Sequence, residues 1–212
     1  FETLPEVNEE TPSFVEFITG EGGVIDTWLR RGAAGFRLDV ADELPDEFIE
    51  KIRTAVKRVS PEKFLLGEVW EDATTKFGFD HRRTYLLGKG LDSVMNYPFK
   101  NSVLDFVKGK PAQQAANEIL SICEHYPAPA INTALNFLST HDTERALTVI
   151  ADEPANGRGR EWQSGRSVTG EAYEEGMLRL RMAYAIIYTL PGVPCLYYGD
   201  EIGMQGYRDP FN

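Results

Sequence analysis

The stretch AAGFRLDVADELPDEFIEKIRTAVKRVSPEKFLLGE, residues 33–68, decides the fold class because a strand pattern alternates in it with a helix pattern. Two short apolar runs, 33–39 and 64–68, have the composition of strands. Between them, from Pro45 to Val59, apolar residues recur at helical spacing, and a proline suits the first turn of a helix. This order of elements predicts a βα unit with two parallel strands.

The same alternation continues on both sides of this unit. A helix is expected ahead of it at 22–31, and the later elements are three strands at 92–96, 133–139 and 193–198, with helices at 98–108, 112–125, 171–190 and one that opens near Asp142. A polar, glycine-containing loop at 153–170 is interpreted as a lid or surface excursion. The fold class is therefore predicted to be α/β, with residues 1–212 in a single domain.

Composition excludes several classes of protein. The chain has 212 residues, of which 42% are hydrophobic and 26% charged, and this balance excludes disordered and collagen-like chains. With 22 basic against 33 acidic residues, we expect no nucleic-acid partner. The longest apolar stretch, 182–190, is too short for a bilayer, so no membrane partner is expected either. Cys123 and Cys195 are predicted to be free, buried thiols.

Acidic residues follow three of the predicted strands. Asp39 comes at the end of the first strand, Glu68 at the end of the second, and His141 with Asp142 directly after the strand 133–139. In a (β/α) barrel the loops after the strands meet at one face, and catalytic groups lie there. The pattern therefore predicts a site that contains three carboxyl groups.

Each acid also has a structural interpretation. Arg37 and Asp39 point the same way on a strand and suit a buried ion pair. Glu68 lies among apolar neighbours, where a carboxylate costs desolvation energy unless it has a partner or a catalytic role. Asp142 is a favoured residue for the N-cap of the helix expected there. The coincidence of all three at strand ends favours function over these separate interpretations.

Two kinds of chemistry use acids in this arrangement. Glycoside cleavage needs one carboxylate to attack or support the anomeric centre and another to protonate the leaving oxygen. Magnesium-dependent barrel enzymes instead use such acids as metal ligands beside a lysine or histidine base. Arg37, two residues from Asp39, disfavours a bound dication, and no predicted strand carries a lysine base.

Six segments together resemble the conserved regions of the α-amylase family of glycoside hydrolases, most closely its neopullulanase, cyclomaltodextrinase and maltogenic amylase branch. They are TLPEVN (3–8), GFRLDVADE (35–43), GEVW (67–70), LDSVMNYPF (91–99), FLSTHDTER (137–145) and GVPCLYYGDE (192–201). The resemblance covers nearly the whole chain. It implies a partial TIM (β/α)8 barrel, approximately strands four to eight with their helices.

The resemblance implies retaining hydrolysis, or transglycosylation, of α-1,4-glucosidic bonds. Asp39 is then the nucleophile, Glu68 the acid/base, and Asp142 the acid that binds sugar hydroxyls in the transition state. Retaining enzymes hold the first two carboxyl groups about 5–5.5 Å apart. The implied substrates are maltooligosaccharides, cyclodextrins, pullulan or starch, and the alternative is a noncatalytic carbohydrate-binding or assembly fragment.

Three further residues acquire implied roles. Arg37 orients Asp39, His141 donates to sugar hydroxyls, and Trp70 stacks on a sugar face. The implied chemistry requires no cofactor or metal ion, and a structural calcium ion in a longer protein is left open. Thr140 stands where many members of the family have asparagine. Localisation is also left open, with a slight preference for the cytoplasm from the branch resembled and from the free cysteines.

The family carries an earlier motif on its third barrel strand, and no part of these 212 residues supplies it. Catalysis by the isolated chain is therefore left open. A barrel that lacks its first strands exposes a sheet edge and apolar surface.

We therefore predict that the 212-residue chain self-associates, edge to edge or by pairing two half-barrels. Size-exclusion chromatography with light scattering at micromolar concentration measures this. A single sharp peak at the monomer mass of 23.8 kDa would contradict the prediction.

Overall fold

The computed structural model describes residues 7–212, so the first four residues of the segment 3–8 lie outside the described part. The chain divides into two compact units. The first unit runs to Met95 and includes His125–Thr133, and the second unit comprises Asn96–Glu124 and Ala134–Asn212. The expectation of a single domain stays a prediction, and each unit is described by itself.

Helices and short strands alternate along the chain. The helices are α1 (Pro12–Thr19), α2 (Val24–Arg30), α3 (Asp46–Val59), α4 (Tyr97–Val107), α5 (Ala112–His125), α6 (Ala128–Ile131), α7 (Ala146–Ala151), α8 (Arg160–Ser164) and α9 (Gly170–Ile187). The strands are β1 (Gly35–Leu38), β2 (Phe64–Gly67), β3 (Phe77–Gly78), β4 (His81–Arg82), β5 (Ser93–Val94), β6 (Leu135–Asn136) and β7 (Val193–Pro194). Two 3₁₀ turns lie at Ala41–Glu43 and Asp200–Ile202.

The first unit contains a parallel sheet in the order β1, β2, β5. Gly35 pairs with Phe64 and Leu38 with Gly67, so β1 and β2 end at the same level. The connecting helix α3 buries its apolar face, which comprises Phe48, Ile49, Ile52, Ala55 and Val56. This confirms the βα unit predicted from residues 33–68.

One carboxylate ties α3 to the sheet. Asp92 accepts hydrogen bonds from the Leu65 N–H at 2.8 Å, from Lys57 Nζ at 2.7 Å and from Arg53 Nη1 at 2.8 Å. Burial alone would raise the pKa of Asp92, but these bonds outweigh it and hold the pKa below its ordinary value. Since the depressed pKa belongs to the folded state, this stabilisation is present above the ordinary pKa of an aspartate and is lost as the pH falls.

The second unit contains the parallel pair β6 and β7, and an apolar core formed largely by α4, α7 and α9. Fully buried members of this core include Leu138, Ala146, Leu147, Ala183 and Ile187. Asn136 of β6 accepts a hydrogen bond from Asn96 Nδ2 at 3.0 Å and donates to the Pro191 carbonyl at 2.8 Å. The buried amide of Asn136 therefore links β6 to two other segments of the unit.

Several expectations about local structure are wrong. The helix expected near Asp142 begins only at Ala146, because Arg145 has the extended ψ of 139° at the N-cap position. The N-cap interpretation of Asp142 is wrong for the same reason. Cys123 and Cys195 are free, as predicted, but both are half-buried and not buried.

Other elements were not predicted. The helices α1, α6 and α8 and the hairpin of β3 and β4 have no counterpart in the sequence prediction, and β6 and β7 are each only two residues long. Within residues 7–212, no helix combines the length and the apolar character needed to cross a membrane.

The close pairing of β1 with β2 generates a prediction for Gly35→Ala. A Cβ atom at residue 35 would lie 2.0 Å from the carbonyl oxygen of Phe64, a backbone atom of the neighbouring strand. We expect the free energy of unfolding to fall by about 1–3 kcal/mol, measured by urea denaturation.

Gly165→Ala is the control for this variant, because its nearest contact is the Glu161 carbonyl at an ordinary 3.7 Å. Equal stability of both variants would show that the strands separate easily at Gly35, against this prediction.

Candidate active site

One guanidinium group of the first unit contacts both of its predicted catalytic acids. Arg37, on β1, donates from Nη1 to Asp39 Oδ1, and its Nη2 lies 3.1 Å from Glu68 Oε1. Its Nε lies 3.5 Å from the sulfur of Met95. Because β1 and β2 are parallel and end together, the two acids that follow them meet at this one cation.

The two carboxyl groups differ strongly in exposure. The Asp39 side chain is 72% exposed, whereas that of Glu68 is 4% exposed. Glu68 Oε2 accepts from the Val40 N–H at 2.9 Å, and Oε1 accepts from Trp70 Nε1 at 3.0 Å. Glu68 is thus a fixed, largely desolvated carboxyl group beside an accessible carboxylate.

The backbone after β1 is shaped to hold Glu68. Val40 has φ of 41° and ψ of 53°, a left-handed conformation that is rare and costly for a β-branched residue. In this conformation its N–H reaches Glu68, while Ala41 N–H donates to the Glu68 carbonyl at 3.2 Å. The strained residue therefore directly follows Asp39 in the chain and is hydrogen-bonded to Glu68.

The predicted residues of the second unit also lie together. His141 Nε2 is 3.2 Å from Asp142 Oδ2 in the turn that follows β6, and the His141 side chain is 64% exposed and that of Asp142 40% exposed. The Asp142 N–H donates to the Thr140 hydroxyl at 3.2 Å. The structure thus brings Arg37 together with Asp39, Glu68 and Trp70 in the first unit and, separately, His141 with Asp142 in the second unit.

The sequence prediction missed two contributors. Val40 holds Glu68 through its backbone, and Met95 lies against the Arg37 guanidinium. A backbone donor leaves no trace in residue type, and valine argues against a left-handed conformation. Met95 does lie in the segment 91–99 that resembles the family, so this segment was the available signal for it.

The alternative use of these acids is as ligands of a metal ion. Across residues 7–212, no three or more His, Cys, Asp or Glu side chains are grouped so that they could hold a metal ion. That the chemistry requires no cofactor stays a prediction, and a structural calcium ion stays open.

Comparison with known proteins gives the family. The sequence profile described as Alpha amylase, catalytic domain, matches residues 1–211. This chain belongs to the alpha-amylase catalytic-domain family. Among the sequence relatives are a cyclomaltodextrinase from Bacillus sp (33% identical over 98% of this chain and 31% of that protein) and neopullulanase 2 from Thermoactinomyces vulgaris (32%, 98% and 30%).

A solved structure gives the same result. The ligand-free cyclic alpha-maltosyl-(1→6)-maltose hydrolase from Arthrobacter globiformis is similar with a TM-score of 0.77 and 29% identity, over 98% of this chain and 40% of that one. The chain spans about a third or less of the curated relatives named here. The structural neighbours are TIM-barrel enzymes of which this chain covers 30–40%.

These matches confirm three predictions: the α-amylase-type glycoside hydrolase family, its cyclomaltodextrinase and neopullulanase branch, and the partial TIM barrel. The magnesium-dependent barrel class that the acids alone left open is not the class to which the chain belongs.

The contact of Arg37 with both Asp39 and Glu68 generates a prediction for Arg37→Gln. This change removes the cation that lies 3.1 Å from the buried Glu68 carboxyl group, while the bonds from Val40 and Trp70 remain. We expect the free energy of unfolding to fall by about 1–3 kcal/mol, measured by urea denaturation at neutral pH.

Arg31→Gln makes the same change in charge in the same unit, at an exposed side chain whose guanidinium lies over Trp28. We expect it to cost less than about 0.5 kcal/mol. The prediction is wrong if Arg37→Gln is as stable as this control.

Proposed function

We propose that the chain performs retaining cleavage of α-1,4-glucosidic bonds by double displacement, with Asp39 as nucleophile and Glu68 as acid/base. The observation that carries this proposal is the Arg37 guanidinium held between one open and one buried carboxyl group. Membership of a family of α-glucan hydrolases supports the general reaction.

In the first step, a carboxylate oxygen of Asp39 attacks the anomeric carbon while Glu68 gives a proton to the departing glycosidic oxygen. A glycosyl ester on Asp39 forms and the bond to the leaving sugar breaks. The exposure of Asp39 suits a group that must reach a substrate carbon, and the ion pair with Arg37 orients the Asp39 carboxylate. The bonds from Val40 and Trp70 keep the Glu68 carboxyl from rotating away from the leaving oxygen.

In the second step, Glu68 takes a proton from water, and the resulting oxygen nucleophile displaces Asp39 from the anomeric carbon. Two inversions give net retention, so the product has the α configuration of the substrate. A sugar hydroxyl in place of water gives transglycosylation by the same route. The two carboxyl groups would then lie about 5–5.5 Å apart, as in other retaining enzymes.

Sugar binding is assigned to the remaining predicted residues. Trp70 is partly exposed, and its indole presents an apolar face for a sugar ring while its N–H is used by Glu68. His141 and Asp142 are exposed and supply donors and acceptors for hydroxyl groups. These assignments follow the motif 137–145 and the position of the pair after β6.

The proposed substrates are maltooligosaccharides, cyclodextrins, pullulan or starch. Relatives named cyclomaltodextrinase and neopullulanase support this range. A solved relative was determined with cyclic alpha-maltosyl-(1→6)-maltose and with maltose, which supports an α-glucan ligand.

Glu68→Gln tests the proposed acid/base directly. The amide keeps the size of the side chain but has no proton to give, so turnover of a chromogenic α-maltooligosaccharide is expected to fall by at least about 100-fold. NMR of the first product from the unmodified chain is expected to show the α anomer. EDTA treatment is expected to leave turnover unchanged.

Glu71→Gln is the matched control, because Glu71 is an exposed acid on the same loop and bonds to Lys76. Equal turnover by both variants, or a β-anomeric product, would contradict the proposed roles. Binding of maltooligosaccharides without any turnover would favour the alternative, a noncatalytic carbohydrate-binding chain.

A further inference from the structure

The turn that carries His141 and Asp142 is closed by hydrogen bonds between Thr140 and Thr143. It follows a strand of two residues and precedes a helix that begins only at Ala146. Inside the turn, the hydroxyl of Thr143 accepts from the Thr140 N–H at 3.0 Å. The bonds within the turn set its shape, and contacts from outside hold it against the rest of the unit.

Arg145, at the end of this turn, is a fully buried arginine. Its side chain is 0% exposed, its Nη1 donates to the Tyr198 carbonyl, and the same nitrogen lies 3.2 Å from Asp200 Oδ1. The guanidinium carbon lies 4.3 Å from the ring centre of Tyr197 and 4.5 Å from that of Tyr198. Nη2 has no hydrogen-bond acceptor among residues 7–212, so this face of the cation depends on aromatic packing.

The carboxylate that receives Arg145 is itself held. Tyr184, on α9, donates its hydroxyl to Asp200 Oδ2 at 2.6 Å, and Asp200 is as buried as Arg145. Burial and the neighbouring carboxylate raise the pKa of Tyr184, so its hydroxyl stays protonated and remains a donor. The long helix of the unit thus fixes Asp200, and Asp200 fixes Arg145.

The backbone on both sides of Arg145 is held as well. Its N–H donates to the Gly206 carbonyl at 2.9 Å, and the Gly206 N–H donates to the Thr148 hydroxyl at 2.9 Å. The Asn212 amide donates to the carbonyl oxygen of His141 at 2.5 Å and to that of Thr143 at 3.0 Å. The segment 198–212 therefore contacts the turn at its middle and at its end.

We propose that Arg145 is a positioning residue, which holds the turn 140–144 and thereby the His141 and Asp142 side chains against the segment 198–212. The catalytic meaning of this role rests on the proposed function, because that function assigns sugar binding to His141 and Asp142. Arginine is needed because its planar group bonds to a carbonyl and a carboxylate while it stacks on two rings. A lysine ammonium group is a single point charge without a planar face, so it cannot make both of these bonds and stack on the two rings at the same time.

Arg145→Lys tests this role through a signal that does not depend on turnover. The chain has three histidines, and NMR of the imidazole nitrogens reports each separately once His141→Gln has identified one signal. We expect the His141 resonances to shift and amide exchange across 140–144 to accelerate at least tenfold. His81 and His125, which belong to the first unit, serve as internal references and are expected to stay unchanged.

Arg158→Lys is the matched control in the same unit, since Arg158 also stacks on an aromatic ring, at 4.0 Å from the ring centre of Trp162. It is expected to leave the His141 signals and the exchange of 140–144 unchanged. Unchanged His141 signals and exchange in Arg145→Lys would overturn the proposal.

Tyr184→Phe covers the case in which Arg145→Lys unfolds the second unit. This variant removes only the hydroxyl that holds Asp200, and we expect a smaller acceleration of exchange, about threefold, in 140–144 with α9 still protected. If Tyr184→Phe leaves the turn unchanged while Arg145→Lys unfolds the unit, Arg145 is a general core residue and the proposal fails.

Kinetics separates the failure of this proposal from the failure of the proposed function. If the unmodified chain cleaves a maltooligosaccharide, Arg145→Lys is expected to lower kcat at least tenfold and to change KM less than threefold. The reference variant Arg158→Lys is expected to change neither constant. Unchanged kcat beside shifted His141 signals would overturn the catalytic role of the turn. Absence of turnover by the unmodified chain counts against the proposed function alone, and the NMR signals then still decide whether Arg145 holds the turn.

Discussion

The burial of the Glu68 carboxyl group is the constraint on which the first unit depends. A carboxylate removed from water needs hydrogen bonds and an opposite charge, or its desolvation outweighs the energy gained elsewhere. Among residues 7–212, the groups that supply them include the Arg37 guanidinium, the Trp70 indole N–H and the Val40 N–H. The last of these requires a left-handed valine, so the unit tolerates backbone strain in order to hold one carboxyl group.

Because Arg37 also binds Asp39, the same cation that offsets the burial of Glu68 places the second acid. The parallel register of β1 and β2 makes this possible, since the strands end at paired residues, Leu38 and Gly67, and each is followed at once by an acid. The two acids that meet at this cation differ in exposure, 72% for the Asp39 side chain and 4% for that of Glu68. Strand register, one arginine and unequal burial together place one open and one buried carboxyl group at a single cation, the pair to which the proposed function assigns double displacement.

The second unit follows a similar physical scheme with different contacts. An exposed acid, Asp142, follows the parallel strand β6, and a buried arginine, Arg145, ends the turn that carries it. In both units a guanidinium group makes several bonds in fixed directions, which a flexible ammonium group does not. In the first unit the guanidinium contacts the exposed acid directly, and in the second unit Arg145 bonds to the segment 198–212 beside the turn that carries Asp142.

Local patterns in the sequence determined a large part of this protein. The strand and helix periods of residues 33–68 predicted the βα unit, the spacing of Arg37 and Asp39 placed both on one side of their strand, and the motifs identified the family. These features depend on residues close in sequence, which is why they could be read without coordinates.

Tertiary structure alone decided that Val40 is left-handed, that α7 begins at Ala146, and that Cys123 and Cys195 are half-buried. It also decided which groups surround Glu68 and Arg145. The physical reason is that each of these features is set by hydrogen bonds and packing between segments distant along the chain, and periodicity and local propensity carry no information about such partners.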